Sequence, residues 1–258
     1  YTSEVKPMVD KIITYHENMD DSWFKKGIVI SGDTFPPSRG GAKGWYEGEM
    51  ETGLTVDNLE SIGFTMKKLW LSIPGAWTGP DDVVNAFNEG AGFVHFAGHS
   101  NPASWGNHPP DDAEHEFVVG IQLKYMKDFT NRDKLPVVVL GGCHSAQFNV
   151  TMSNIITGIL KYGIMGYFFR SPYRFYYMEW VPRDLSSALV LSDGGAIASI
   201  GNSGLGYGYV NQDATAGLGG WIEPRFFELY ANQSIKVVGE LHAQAITDYV
   251  NGLAPAYT

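Results

Sequence analysis

Short apolar runs that each end in glycine set the strongest limit on what this chain can fold into. They are residues 27–31, 92–97, 136–140 and 196–200, followed by Gly32, Gly98, Gly141 and Gly201. Between them lie patterns typical of helices, at 49–62, 80–88, 154–162 and 183–191. Strands that are apolar on both faces and alternate with helices are typical of a parallel sheet covered on both sides. The chain is therefore predicted to have an α/β fold.

The rest of the chain adds three predicted helices, at 3–18, 119–129 and 237–251, and a strand at 66–72. The polar segment from Ser100 to about Glu116 is rich in Asn, Pro and Asp and is expected to be a loop. No internal repeat, low-complexity tract or linker divides the 258 residues. We therefore expect residues 1–258 to form a single domain.

Charge and hydropathy exclude several classes of protein. The chain has 18 basic and 28 acidic residues, a formal charge of −10, and no cluster of Lys and Arg. A nucleic-acid partner is therefore not expected. No apolar stretch is long enough to span a membrane as a helix. The single cysteine, Cys143, cannot form an internal disulfide, so it is either an inert buried residue or a reactive thiol.

Two of the predicted strands deliver reactive side chains at their carboxyl ends. The run at 92–97 leads into Gly98-His99, and the run at 136–140 leads into Gly141-Gly142-Cys143. Ligands bind at this edge of parallel sheets. If the strands are neighbours, the imidazole can activate the thiol for attack on a carbonyl carbon, and the N–H groups of Ser100 and Cys143 can stabilise the developing oxyanion. An inert cysteine beside a loop histidine stays the alternative.

The same residues carry a resemblance to a known family. Gly98-His99 is followed by Trp105-Gly106, Leu135-Pro136 opens the run to Cys143, and Ala196–Ser199 forms a late apolar run. In these motifs the chain resembles the gingipain family of cysteine peptidases. The resemblance implies a caspase-like three-layer α/β/α sandwich with a mainly parallel sheet. It also implies Cys143 as nucleophile, His99 as general acid/base and Asp33 as the third catalytic residue, where the family has Glu.

The resemblance further implies a substrate pocket. An acid near the start of the helix at 49–62 would pair with a basic P1 side chain, although such acids also stabilise a helix N-terminus as solvated residues. The pocket residues expected on this basis are Glu49, Glu51, Trp105, Asn202, Leu205 and Tyr207. Since gingipains have a tryptophan near the last three, the P1 preference can differ.

The resulting hypothesis is a cysteine endopeptidase that acts on polypeptides, with P1 Arg or Lys. A sorting-type transpeptidase of the same fold and a catalytically silent surface or assembly module are the alternatives. The silent module stays open because the chain has Asp33 where the family has Glu, and Ser100 where the family has Gly directly after the histidine. A zinc site through His95, His99 and the loop 108–116 is the weakest reading.

The resemblance also bears on cofactors, partners and location. No cofactor is expected to be required, and structural calcium could bind the acidic loop or Asp20-Asp21. The chain is expected to be the catalytic part of a longer secreted or cell-surface precursor. Contacts with other domains or chains of that precursor are therefore predicted.

Overall fold

A five-stranded sheet forms the centre of the computed structural model, which describes residues 2–170, 174–233 and 235–253. Its strands are β1 (Lys26–Ser31), β2 (Thr65–Trp70), β3 (Phe93–Ala97), β7 (Val137–Leu140) and β8 (Ala198–Gly201). They lie in the order β2-β1-β3-β7-β8, and every neighbouring pair is parallel. The predicted parallel sheet is confirmed.

Helices cover both faces of this sheet. The helices of the chain are α1 (Thr2–Glu17), α2 (Glu47–Ser61), α3 (Pro80–Asn88), α4 (Asn154–Phe168), α5 (Leu185–Leu191), α6 (Gly219–Asn232) and α7 (Val238–Gly252). Helices α2, α6 and α7 pack together on one side, while α3 and α5 lie on the other and α1 packs on α5. Within the described residues, no helix combines the length and the hydrophobicity needed to cross a membrane.

The alternation of side chains along the strands produces two separate cores. Val94 and Phe96 of β3 pack on the side of α3, in a cluster that includes Phe87. Phe93, on the opposite face of the same strand, packs against Phe226 and Phe227 of α6. Successive residues of a strand point to opposite faces, so each apolar run supplies both cores at once. This arrangement is the expected three-layer sandwich.

A second, antiparallel sheet lies at the carboxyl edge of the first and was not predicted. It consists of β4 (His99–Asn101), β5 (Ser104–Asn107) and β6 (Val118–Gln122). The prediction of a helix at 119–129 was wrong, because the segment forms β6 and then a 3₁₀ helix (Leu123–Asp128). Gly120 lies against the ring of Trp105, where an added Cβ would be 2.8 Å from the ring. Packing against β5 thus overrides the helical pattern.

Helix α6 is the other element that sequence reasoning missed. It follows a glycine-rich segment, and its N-cap, Leu218, supplies no side-chain hydrogen bond to the helix. The usual signal for a helix start is therefore missing. Ile222, Phe226 and Leu229 do follow helical spacing and would have indicated the helix.

Candidate active site

The parallel pairing of β3 with β7 positions the two predicted reactive residues. Phe93 pairs with Val137 and Phe96 with Leu140, so both strands end at the same level of the sheet. His99 and Cys143 follow within a few residues, and both line a cleft of about 420 Å³. The neighbouring strands expected from the sequence are therefore present, and the imidazole and the thiol share one cavity.

The ring of His99 is bound by a backbone carbonyl. Its Nε2 donates a hydrogen bond of 2.8 Å to the carbonyl oxygen of Thr34. Because a carbonyl can only accept, this bond places the proton on Nε2 and leaves Nδ1 as an acceptor. Burial lowers the pKa of the His99 imidazole; the Thr34 bond opposes this effect, and His108 and Arg39 add to it. The site therefore contains a neutral imidazole with one nitrogen available as a base.

Three consecutive carbonyls of the loop that carries Cys143 are bound by side chains. The indole N–H of Trp105 donates to the Gly141 carbonyl at 2.9 Å, Asn202 Nδ2 to Gly142 at 2.7 Å, and Ser100 Oγ to Cys143 at 2.6 Å. These donors come from three different segments of the chain. Since each peptide group is planar, fixing its carbonyl also fixes the direction of the following N–H. The Cys143 N–H, on the far side of the peptide from the Gly142 carbonyl, is oriented in this way.

Gly142 allows the loop to approach Ser100 closely. Its φ angle is +113°, which disfavours any side chain, and an added Cβ would lie 2.8 Å from the Ser100 nitrogen. Gly142 therefore lies directly beside the Ser100 backbone, with no side chain between them. The Cys143 Sγ lies 3.5 Å from the carbonyl oxygen of Gly206, which belongs to the loop after β8. This loop therefore lies over the thiol.

Asp33 is buried beside a second acid instead of bonding His99. Its Oδ2 accepts the N–H of Asp111, while its Oδ1 has no hydrogen-bond partner among the described residues. The neighbouring Glu47 carboxylate accepts the N–H groups of Phe35 and Asn211. Burial, reinforced by the charge of Glu47, raises the pKa of Asp33 to about 7. No hydrogen bond joins Asp33 to His99 in the described part of the chain, which is a correction to the expected triad.

The floor of the cleft is acidic. Glu51 of α2 and Glu223 of α6 both line it, and the Glu223 carboxylate lies 3.2 Å from Nε2 of the fully buried His95. The other nitrogen of that ring contacts the Thr55 hydroxyl at 2.9 Å. Burial raises the pKa of Glu51 well above its usual range, and the charges of Glu223 and Glu47 add to this effect. A cation that entered the cleft would relieve this repulsion.

Comparison with known proteins agrees with this geometry. The family model for peptidase family C25 matches residues 2–257. The chain belongs to peptidase family C25. Gingipain R2 and gingipain R1 of Porphyromonas gingivalis are each 24% identical to it over 160 residues, which are 61% of this chain and 19% and 14% of theirs. The C25 chain thus spans less than a fifth of these relatives.

Solved structures establish the fold of the C25 chain. The crystal structure of the Arg-specific cysteine proteinase gingipain R matches 96% of this chain and 48% of its own, with a TM-score of 0.64 and 18% identity. The complex of the pro- and mature domains of RgpB from Porphyromonas gingivalis matches with a TM-score of 0.56 and 16% identity. The expected caspase-like α/β/α sandwich is therefore confirmed.

The predicted pocket residues of the C25 chain divide into two groups. Glu51, Asn202, Leu205 and Tyr207 line the cleft as expected. Glu49 does not, because its carboxylate is buried and accepts hydrogen bonds from the backbone N–H and the hydroxyl of Ser72.

Trp105 is the second correction to the pocket. It is fully buried, stacks on Trp77 at 5.6 Å and packs edge-to-face on Phe96. Its contribution to the site is the hydrogen bond to Gly141. The sequence motif correctly marked its importance, but its position is beneath the catalytic loop.

The acidic loop between β5 and β6 hydrogen-bonds to the chain itself. Asp111 accepts bonds from the Gly44 N–H and the Tyr46 hydroxyl, and Asp112 from Ser38 and the Glu114 N–H. These bonds hold the loop against the segment that contains Ser38, Gly44 and Tyr46. Among the residues that the structure describes, no cluster of three or more His, Cys, Asp or Glu could bind a metal ion.

Proposed function

We propose that this C25 domain is a cysteine endopeptidase that cleaves polypeptides through an acyl-enzyme on Cys143. The observation that carries the proposal is the shared cleft of Cys143 and His99, in which the Thr34 carbonyl fixes the imidazole tautomer. In the reaction, His99 accepts the thiol proton as Sγ attacks the scissile carbonyl. His99 then returns this proton to the leaving amine, and a water that it activates releases the acyl group.

In this proposal the oxyanion is stabilised by the backbone N–H groups of Ser100 and Cys143. The hydrogen bonds to the Gly142 and Cys143 carbonyls support this assignment, because they fix the orientation of these peptide groups before the substrate binds. Thr34 is the hydrogen-bond partner of His99 through its backbone carbonyl. Asp33 acts indirectly, because its bond with the Asp111 N–H anchors the backbone next to Thr34. The family C25 match and the gingipain-like fold favour hydrolysis, and they lend no support to a transpeptidase or a silent module.

We further propose Arg or Lys at P1. Glu51 and Glu223 place two carboxyl groups in the lining of the cleft, where a bound guanidinium or ammonium would favour the ionised forms, and one matched structure is that of the Arg-specific cysteine proteinase gingipain R. Replacing Glu51 with Gln is expected to lower kcat/KM for an Arg substrate about tenfold or more, the value of a charge-assisted hydrogen bond. An uncharged P1 substrate is the matched control. An equal loss on both substrates would contradict a P1 role for Glu51.

Alkylation of Cys143 tests the catalytic pair directly. Iodoacetamide labelling is measured against pH in the wild type and in His99→Ala, with peptide hydrolysis followed in parallel. Fast labelling near neutral pH that collapses in the variant supports the proposal. A slow labelling rate that has the pH dependence of an ordinary thiol, and is the same in His99→Ala as in the wild type, would refute it.

Cofactors, partners and location complete the proposal. The reaction uses only groups of this chain, so activity is expected to survive dialysis against a chelator, and its loss would reveal a metal such as the expected structural calcium. The chain spans about half of the matched gingipain structure, and a second match contains pro- and mature domains together. We therefore infer one catalytic domain of a longer, secreted or cell-surface precursor whose other parts contact it.

A further inference from the structure

A strip of apolar side chains on and around α4 is largely exposed to solvent. Its exposed fractions run from 61% to 81%. The apolar strip consists of Phe148, Met152, Ile156, Leu160, Ile164, Met165 and Phe169. Soluble monomers rarely expose apolar patches of this size without using them for binding.

The helix geometry separates the apolar strip from the buried side of α4. Ile156 and Leu160 are four residues apart and therefore follow one side of the helix before Gly163, and Ile164 just beyond it is also exposed. Gly158 faces the opposite way, where an added Cβ would lie 2.3 Å from the ring of Tyr167. At Gly163 the φ angle of +69° kinks the helix. The strip is thus a convex ridge and not part of the core.

The base beneath the ridge is well packed. Phe175 lies 5.2 Å from the ring of Phe168 and stacks on Trp180 at 4.8 Å. Asn154 Nδ2 donates to the Glu179 carbonyl at 2.8 Å and ties the two ends of the segment together. We call residues 148–180, apart from 171–173, the α4 hairpin. The apolar strip is therefore supported by a well-packed segment of the chain.

The charge around the α4 hairpin is opposite to that of the whole chain. Residues 135–178 contain no Asp or Glu, although the chain has 28 acids in 258 residues. The same stretch contains Lys161, Arg170 and Arg174, a local formal charge of +3 in a chain of −10. Within the α4 hairpin itself, these three cations stand against a single acid, Glu179, so the hairpin has a formal charge of +2.

We propose that the α4 hairpin docks on an anionic lipid bilayer. Exposed apolar side chains flanked by Lys and Arg are what an interfacial helix needs: the first enter the acyl boundary and the second contact the headgroups. The helical part before the kink at Gly163, residues 154–162, is about 14 Å long, shorter than the apolar core of a bilayer, so it lies in the interface instead of crossing it. A second copy fits less well, because a two-fold contact would bring the same positive charge against itself.

Docking of this kind would bring the active site close to the lipid surface. Phe148 follows Cys143 by five residues, so the α4 hairpin projects from the same edge of the sheet as the thiol. Lipid binding itself does not depend on the proposed peptidase activity, and either can fail without the other.

Vesicle binding by the full chain tests the proposal. Flotation is measured with phosphatidylcholine vesicles that contain or lack phosphatidylglycerol, at low and high salt. We expect binding to the anionic vesicles that weakens as salt screens the cations. The double variant L160E/I164E should lower the partition coefficient at least about tenfold, because each buried apolar side chain contributes about one to two powers of ten.

The matched control is V9E/I12E on α1, where Val9 and Ile12 are also exposed apolar residues. Circular dichroism and urea unfolding establish that each variant is folded. Equal loss in the control, or no binding of the wild type to anionic vesicles, would overturn the proposal. So would light scattering that shows a dimer abolished by L160E/I164E in a protein that does not bind vesicles, since a second copy would then cover the apolar strip.

Discussion

Asp33→Asn should make the protein more stable at high pH and leave it unchanged at low pH. The wild-type carboxyl is fully buried beside Glu47, whose oxygens already accept two backbone N–H bonds. Protonated Asp33 avoids the repulsion and can donate to its neighbour, so the proton resides there. Asparagine reproduces this state at every pH, because its carbonyl can accept the Asp111 N–H and its amide can donate to Glu47.

The magnitude follows from the pKa of Asp33. The folded value is raised from the ordinary 3.8 to about 7. Below about pH 4 the carboxyl is protonated in both states and has no effect on the free energy of unfolding. As pH rises, only the unfolded state releases the proton freely, so stability falls by about 1.4 kcal/mol per pH unit until about pH 7 and is constant above. The full loss is about 4 kcal/mol, an upper value.

Urea unfolding at about pH 4.5, 6 and 8 measures this effect as the difference between Asp33→Asn and the wild type, since other titrating groups cancel. The difference should grow with pH in favour of the variant. Asp10→Asn is the matched control, because Asp10 is exposed in an ion pair with Lys6 and should change stability by only a few tenths of a kcal/mol. A difference for Asp33→Asn that is the same at all three pH values would mean that the carboxyl is ionised in the folded protein.

Other substitutions examine the catalytic loop and the cleft. Gly142→Ala should lower kcat by a factor of about 100 or more with the fold intact by circular dichroism, because the Cβ obstructs the Ser100 N–H; wild-type kcat would refute this oxyanion site. Trp105→Phe should destabilise the protein by about 1–3 kcal/mol in urea, since the Gly141 carbonyl loses its buried donor; an unchanged midpoint would contradict it. Glu223→Gln should reduce the preference for Arg over uncharged P1 substrates in kcat/KM, and a preserved ratio would exclude Glu223 from the pocket.

The sequence was sufficient to predict the catalytic edge of the sheet. The apolar runs before Gly98-His99 and Gly141-Gly142-Cys143 read as buried strands because both faces of each strand are covered. Parallel neighbours then place their ends together, and the structure agrees. The prediction succeeds because strands that are buried on both faces have apolar side chains, and these can be recognised in the sequence.

The partner of His99 could not be predicted in the same way. Thr34 contributes its backbone carbonyl, and a backbone group leaves no signal in residue type. Asp33, one residue earlier, has the right chemistry but is directed into the acid pair with Glu47. Similarly, an acid at the start of α2 can face the cleft, as Glu51 does, or a neighbouring loop, as Glu49 does, and only the helix rotation decides.

The three side chains that bind the carbonyls of residues 141–143 have a consequence for how the domain loses activity. Trp105 and Ser100 pair across two strands of the second sheet, and Asn202 follows the last strand of the central sheet. The geometry around the thiol is therefore a property of the cooperative unit and not of one local segment. On heating or in denaturant, inactivation and global unfolding should coincide, and turnover becomes a sensitive report on the integrity of the whole domain.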